Sequence, residues 1–202
     1  MKESNGGARA YPFDAQTLLG GVEAMNACGS RTTGSKGHNE FVAYIKRQLE
    51  EVGVRILNNK SQDFDICGNN IRISGLELPL SCYQKGRKPY LEPDFLNNAL
   101  GKADSKHLQL LLAHNPSFAE QYAAWGADMA FCGHNHGGLV RIPGIGSLIS
   151  PQFEFFPKYD AGEYDLLGHK VYVSRGLGTH TFHIRIFNRA DLLSIHVVPE
   201  KS

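Results

Sequence analysis

The sequence has almost no net charge to offer: 21 Lys and Arg stand against 20 Asp and Glu across its 202 residues. That balance excludes the broad basic field that draws a chain to nucleic acid, so no nucleic-acid partner is expected and any anionic ligand must be held locally. Cysteine is scarce as well. Cys28, Cys67, Cys82 and Cys132 lie far apart and make no C-x-x-C pair, which excludes a zinc ribbon and a dense disulfide framework and fits a reducing, cytoplasmic setting. No apolar run reaches about 18 residues. The opening Met1-Lys2-Glu3-Ser4-Asn5-Gly6-Gly7 lacks the apolar stretch of a signal peptide, so no membrane segment is expected. Internal repeats and low-complexity tracts are missing too. What is present is 42% hydrophobic residues, enough for a substantial core, so the expectation is a single domain with residues 1–38 atypical and poorly ordered.

Helical signals come early. Asp14 is placed to cap a helix over residues 15–25, where Leu18, Leu19, Val22 and Met25 recur at helical spacing. A Gly-, Ser- and Thr-rich break over residues 28–37 separates it from a second helix over 39–52, with Phe41, Ile45, Leu49 and Val52 on one face and Gly53 at its end. Beyond Gly53 the period changes to that of strands, first over 54–57 and then as a hairpin of 63–67 and 70–74 turning at Gly68-Asn69. Residues 79–105, with one short helix over 93–100, are placed to lie over a cleft.

Leu108-Gln109-Leu110-Leu111-Leu112-Ala113 is an apolar run suited to a central strand covered on both faces. Residues 116–125 follow as a helix with proline at its start, and Met129-Ala130-Phe131-Cys132 as a second buried strand. Further strands are expected over 171–173, 183–187 and 192–198. Two buried strands bracketing a helix favour a layered α/β sandwich.

Two segments carry the chemistry: Ala113-His114-Asn115-Pro116, and Gly133-His134-Asn135-His136-Gly137-Gly138. Each sets histidine just past the end of a buried strand, where open α/β sheets place their ligands. In extended chain His134 and His136 project the same way. A neutral imidazole is the commonest side-chain ligand of a transition metal, and if the two strands are sheet neighbours, all three histidines converge. His107, His169 and His196 stand alone and read as hydrogen-bonded surface residues.

The ordered series of apolar strand, His-Asn-Pro, helix, apolar strand and Gly-His-Asn-His-Gly-Gly resembles the calcineurin-like metallophosphoesterases. The likeness is to their bacterial phosphodiesterase branch, related to the UDP-diacylglucosamine hydrolases. Arg141-Ile142-Pro143, residues 159–164 and Ser174-Arg175-Gly176-Leu177-Gly178 follow in the order that family uses, so the resemblance covers roughly residues 54–198. It implies a layered α/β sandwich and hydrolysis of a small phosphate ester by a hydroxide bridging two divalent cations, Mn, Fe or Zn. It assigns His114 and His134 to one metal and His136 to the other. Arg141, Arg175 and His180 become contacts to phosphate or leaving group, with a structural role as the alternative.

The same family carries Asp-x-His, Gly-Asp with a later acid, and Gly-Asn-His followed by Asp or Glu upstream of these segments. None occurs here in that form. A bridging carboxylate matters most, because two neighbouring cations repel unless an anion lies between them. Where Gly-Asn-His-Glu is expected, the chain reads Gly37-His38-Asn39-Glu40. The resemblance makes His38 a candidate catalytic histidine and Asn39 a candidate metal ligand, while Asn39 taken by itself caps a helix. The expectation from this gap is a truncated or rearranged product of a longer, membrane-associated parent, either impaired in catalysis or a non-catalytic relic. Separately, residues 29–49 are similar to the leading helix of M28-type zinc aminopeptidases, a segment without metal ligands. No His-x-Asp or Glu-Glu motif follows it.

Overall fold

The computed structural model describes Glu23, Ala27 and residues 35–178 and 184–198. The expected helix over 15–25 and most of the atypical 1–38 segment lie outside these residues. The chain forms two compact units, Met1–Ile56 and Leu57–Ser202.

The described part of the first unit is helix α1 (Lys36–Glu51). It begins earlier than its apolar face suggests because Ser35, in extended backbone, accepts a hydrogen bond from His38 N at 3.2 Å. Ser35 therefore fills the capping role that the sequence offered to Asn39, satisfying an end N–H that has no partner within the helix. At the other end Gly53 takes φ +80° and Val54 N donates to Leu49 O at 2.9 Å. Val54 is thus engaged in closing the helix, and residues 54–57 are irregular rather than a strand.

In the second unit six strands form one mixed sheet in the order β1-β2-β3-β4-β8-β7. They are β1 (Lys60–Ile66), β2 (Asn69–Leu76), β3 (Leu108–Ala113), β4 (Met129–Cys132), β7 (Gly162–Leu166) and β8 (His169–Val173). A separate pair, β5 (Val140–Ile142) and β6 (Gly146–Ile149), lies antiparallel. The first hairpin turns at Cys67-Gly68, one residue earlier than expected, with φ of +54° and +82°. Two positive φ angles match the twist of the flanking strands, and Asp65 Oδ1 accepts from Gly68 N at 2.8 Å.

Strands β2, β3, β4 and β8 run parallel to one another, with Leu110 opposite Met129 and Leu112 opposite Phe131, while β1 and β7 pair antiparallel at the two edges. The link from β3 to β4 is a 3-10 turn (Pro116–Phe118) followed by α3 (Ala119–Trp125); α2 (Phe95–Leu100) precedes β3. Leu96, Leu111, Phe118, Ala119, Tyr122, Ala130, Val171 and Val173 form the centre of the core on one side of the sheet. The α/β architecture expected from the order of elements is the one observed.

Two expectations need correction. The apolar run of β3 is covered on one face, where Gln109, Leu111 and Ala113 are buried, whereas Leu112 on the other is 45% exposed. The expected strand over 171–173 falls within β8, but residues 184–187 and 192–198 form no strand. Ile186 makes an isolated bridge with Val140, and residues 192–198 are irregular, because Leu192 and Val198 remain exposed and no buried face commits their alternation.

Tyr122 is the structural peg of this arrangement: it is fully buried and its hydroxyl donates to Asn115 O at 2.7 Å. Tyr122→Phe should lower unfolding stability by about 1–3 kcal/mol by orphaning that carbonyl. Leu111→Ala should cost about 2–5 kcal/mol through its cavity. Urea midpoints with unchanged m-values measure both, and an unshifted midpoint in either would contradict the packing described.

Candidate functional site

The parallel pairing of β3 and β4 sets the two histidine segments side by side, and Gly133 N donates to His114 O at 3.0 Å to join them. Past β3 the chain is fixed by Asn115, which is fully buried. Its Oδ1 accepts from Ser117 N at 3.0 Å, and its Nδ2 donates to Cys82 O at 3.1 Å. His114 points outward from this anchored corner and is exposed.

Past β4 the backbone is far from extended. His134 and His136 take φ of +58° and +47°, and Gly137 and Gly138 follow at +69° and +84°. Left-handed backbone is unusual for a histidine and persists only when its surroundings hold it. The holding groups are specific. Asn135 Nδ2 donates to Tyr159 O at 2.7 Å, and Asn188 Nδ2 donates to His136 O at 2.7 Å and Gly138 O at 2.6 Å. A Cβ on Gly138 would lie 1.8 Å from Ser147 Oγ and 2.8 Å from Ile149 O, so only glycine fits.

The expectation that His134 and His136 point the same way assumed an extended strand, and neither residue is extended. His134 is buried and turns toward His114, with ring centroids 5.2 Å apart and planes at 73°. Tyr83 packs edge-on against His134 at 5.0 Å and lies 6.2 Å from His114. His136 Nδ1 lies 3.2 Å from Gly178 O. Arg185 Nη2 lies 3.5 Å from the same Nδ1.

Two imidazoles on one tetrahedral cation, with bonds of about 2.0–2.1 Å, place their ring centroids about 5 Å apart. The His114–His134 pair fits that spacing. Among the described residues, however, no group of three or more His, Cys, Asp or Glu side chains is arranged to hold a metal. His38 and Asn39 sit on α1 in the first unit, His38 giving its backbone N–H to the Ser35 cap and Asn39 exposed. His180 lies outside the described residues.

Both expected phosphate-contacting arginines are engaged in ion pairs. Arg141 Nη1 donates to Asp160 Oδ2 at 2.8 Å and to Gly137 O at 3.0 Å. Arg175 Nε donates to Asp191 Oδ2 at 2.7 Å. Burial pushes the Asp191 carboxyl up, but the Arg175 side chain, Ser174 and Arg175 N–H together hold it below the ordinary aspartate value. Burial raises Tyr83 to about 12 and Cys132 to about 12, so both stay protonated at neutral pH.

Sequence reasoning missed Tyr83, Asp160, Arg185 and Asn188. Arg185 Nη2 donates to Arg175 O at 2.9 Å and to Gly178 O, fixing the loop that His136 leans on. Their only trace was the polar Arg185, Asn188 and Asp191 interrupting an otherwise apolar C-terminal segment. Beside Asn135 and Ser117 opens a cleft of about 340 Å³ whose lining also includes Lys88, Glu120, Lys158 and Tyr159.

Asn188→Ala should lower stability by about 1–3 kcal/mol, since two carbonyls of a strained turn lose their donor together. Chemical denaturation measures it, and an unaltered midpoint would show that the clamp contributes nothing.

No family model and no solved structure matches the chain. Similar proteins do exist. An uncharacterized metallophosphoesterase, YkuE of Bacillus subtilis (strain 168), is 27% identical over 162 residues, covering 79% of this chain and 52% of that protein. The uncharacterized protein YpbG of the same strain is 29% identical over 136 residues, 66% of this chain and 44% of its own length. The phosphodiesterase YaeI of Escherichia coli (strain K12) is 31% identical over 90 residues, 45% of this chain and 32% of its own. The chain thus spans about half the length, or less, of the curated relatives it matches. The similarity to YkuE and YaeI supports a relationship of this chain to the calcineurin-like metallophosphoesterases.

Proposed function

We propose that this chain carries the histidine half of a metal-dependent phosphoesterase centre that hydrolyses a small phosphate monoester or diester. The observation that supports this most directly is the His114–His134 pair, whose ring spacing of 5.2 Å suits one shared cation. His114 and His134 would hold that cation, and His136 would ligate a second. A divalent cation there would lower the pKa of bound water and neutralise charge on the phosphate.

The chain's own residues do the positioning. Tyr83 packs on both rings of the pair and limits their rotation. Asn115 and Asn188 keep the two histidine segments from relaxing, and Arg141 is held by Asp160 against Gly137 O. The neighbouring cleft of about 340 Å³ suits a small ester, with Lys88 as a cation on its wall and Lys158 already paired with Glu120. Near-neutral charge overall leaves recognition to such local groups.

A second reading is a non-catalytic chain that binds one cation weakly. It is favoured by the lack of a third acidic or histidine ligand beside the pair among the described residues. Elemental analysis after Mn²⁺ loading separates the two, approaching two metals per chain for the first reading and one or fewer for the second. For the first reading, turnover of bis-p-nitrophenyl phosphate with Mn²⁺ should fall by about 100-fold or more in His134→Ala and about 10- to 100-fold in His136→Ala. Turnover unchanged in both variants would reject the assignment.

A further inference from the structure

The four central strands of the second unit run parallel, and parallel sheets occur almost only with both faces covered. The core covers one face. On the other, strand pairing sets Ile73, Leu110, Leu112, Met129, Phe131 and Tyr172 side by side, and not one of them is buried. The rings of Phe131 and Tyr172 stack within this layer, 5.7 Å apart with planes at 18°. Strand β1 extends it with Phe64, opposite Ile71, and the exposed Ile66. A contiguous apolar surface rimmed by charge marks a place where another surface docks.

The rim decides which surface. One cross-strand row runs Lys60, Gly75, Leu112, Phe131, Tyr172, Glu163 from edge to edge of the sheet. Leu57 O lies where a Cβ on Gly75 would stand, so glycine lets Leu57 cross the row at that one position and join the apolar layer. The row begins with a cation and ends with an anion. Lys60 is exposed at the β1 edge. At the β7 edge Lys170 pairs with both Glu163 at 2.9 Å and Asp165 at 3.0 Å, so two carboxylates share one ammonium and a negative charge is left over.

A two-fold axis parallel to the strands, midway between two copies stacked on this face, exchanges the two edges. It sets Lys60 of each copy against the Glu163 edge of the other, while the apolar rows meet between them at the spacing of packed sheets, about 10 Å. The other in-plane axis, across the strands, would lay the acidic edge on itself. An apolar centre with opposite charges at the rim is the composition of a specific interface.

We infer that the uncovered sheet face of the second unit is a self-complementary dimer interface, closed by a second copy of the chain with Lys60 and Glu163 paired at both ends. The inference goes beyond the phosphoesterase reading and does not rest on it, because association is measured without metal or turnover.

The experiment is sedimentation velocity of the 202-residue chain over a concentration series. A dimer is expected, and Leu112→Glu, which buries a charge at its centre, should weaken it on the order of 100-fold. Lys60→Glu and Glu163→Lys, each alone, set like charges together at both ends and should weaken it about tenfold or more. Mixed in equal amounts, these two variants regain opposite charges at both ends and should associate about as tightly as the parent. Circular dichroism melts verify that each variant is folded, and the two exposed charge variants retain the test if Leu112→Glu is not. A parent chain that stays monomeric overturns the inference, whatever segment then covers the face. So does a dimer that the charge variants leave unweakened, or a mixture that associates no better than either variant alone.

Discussion

The parallel pairing of β3 with β4 is the constraint on which the rest depends. Parallel strands deliver both of their carboxyl ends to the same edge of the sheet, and only there does a residue after one strand meet a residue after the next. The bond from Gly133 N to His114 O is where that register reaches the candidate site. The connection that makes parallel pairing feasible is short: a 3-10 turn, two turns of helix and a left-handed Gly126 at φ +110°. Tyr122 joins the two levels, packing in the core while bonding the backbone of the corner that presents His114.

A second principle governs the loop after β4. Four of the five residues His134–Gly138, all but Asn135, take positive φ, and such a turn does not hold itself. Its restraints come from distant parts of the chain: Tyr159 receives Asn135, Asp160 fixes Arg141 over Gly137 O, and Asn188 clamps both sides of the glycine pair. The ion pairs of this region therefore act on backbone shape. Arg175 with Asp191 belongs to the same scheme, since Asp191 also accepts from Ser174 Oγ and Arg175 N.

What was legible in the sequence follows from which interactions are local. The apolar runs of β3 and β4, the proline after Asn115 and, to within one residue, the hairpin between β1 and β2 are properties of neighbouring residues and were readable, whereas the adjacency of β3 and β4 on which the meeting of His114 with His134 depends was left open by the sequence. The cap at Ser35 was missed because Asn39 is an equally good capping residue, and the choice depends on where the backbone turns. The backbone turn at His136 was illegible for a different reason. A left-handed histidine leaves no mark in composition or period, and the groups that enforce it, Asn188 and Gly178 O, lie 52 and 42 residues away. The face of β3 bearing Leu112 looked covered because an apolar run specifies tolerance of burial, whereas coverage depends on what other elements supply.

Cys132 ends β4 one residue before the histidine loop, buried and held protonated. A thiol in that state is a poor nucleophile and a poor target for peroxide, disulfide exchange or alkylation. Cys82 is equally shielded, which leaves Cys67 in the hairpin turn as the exposed thiol among the described residues. The described cysteines therefore say little about the redox conditions this fold withstands: Cys82 and Cys132 would be indifferent to an oxidant, and the thiol open to reaction among the described residues sits on a surface turn, at the opposite sheet edge from β7.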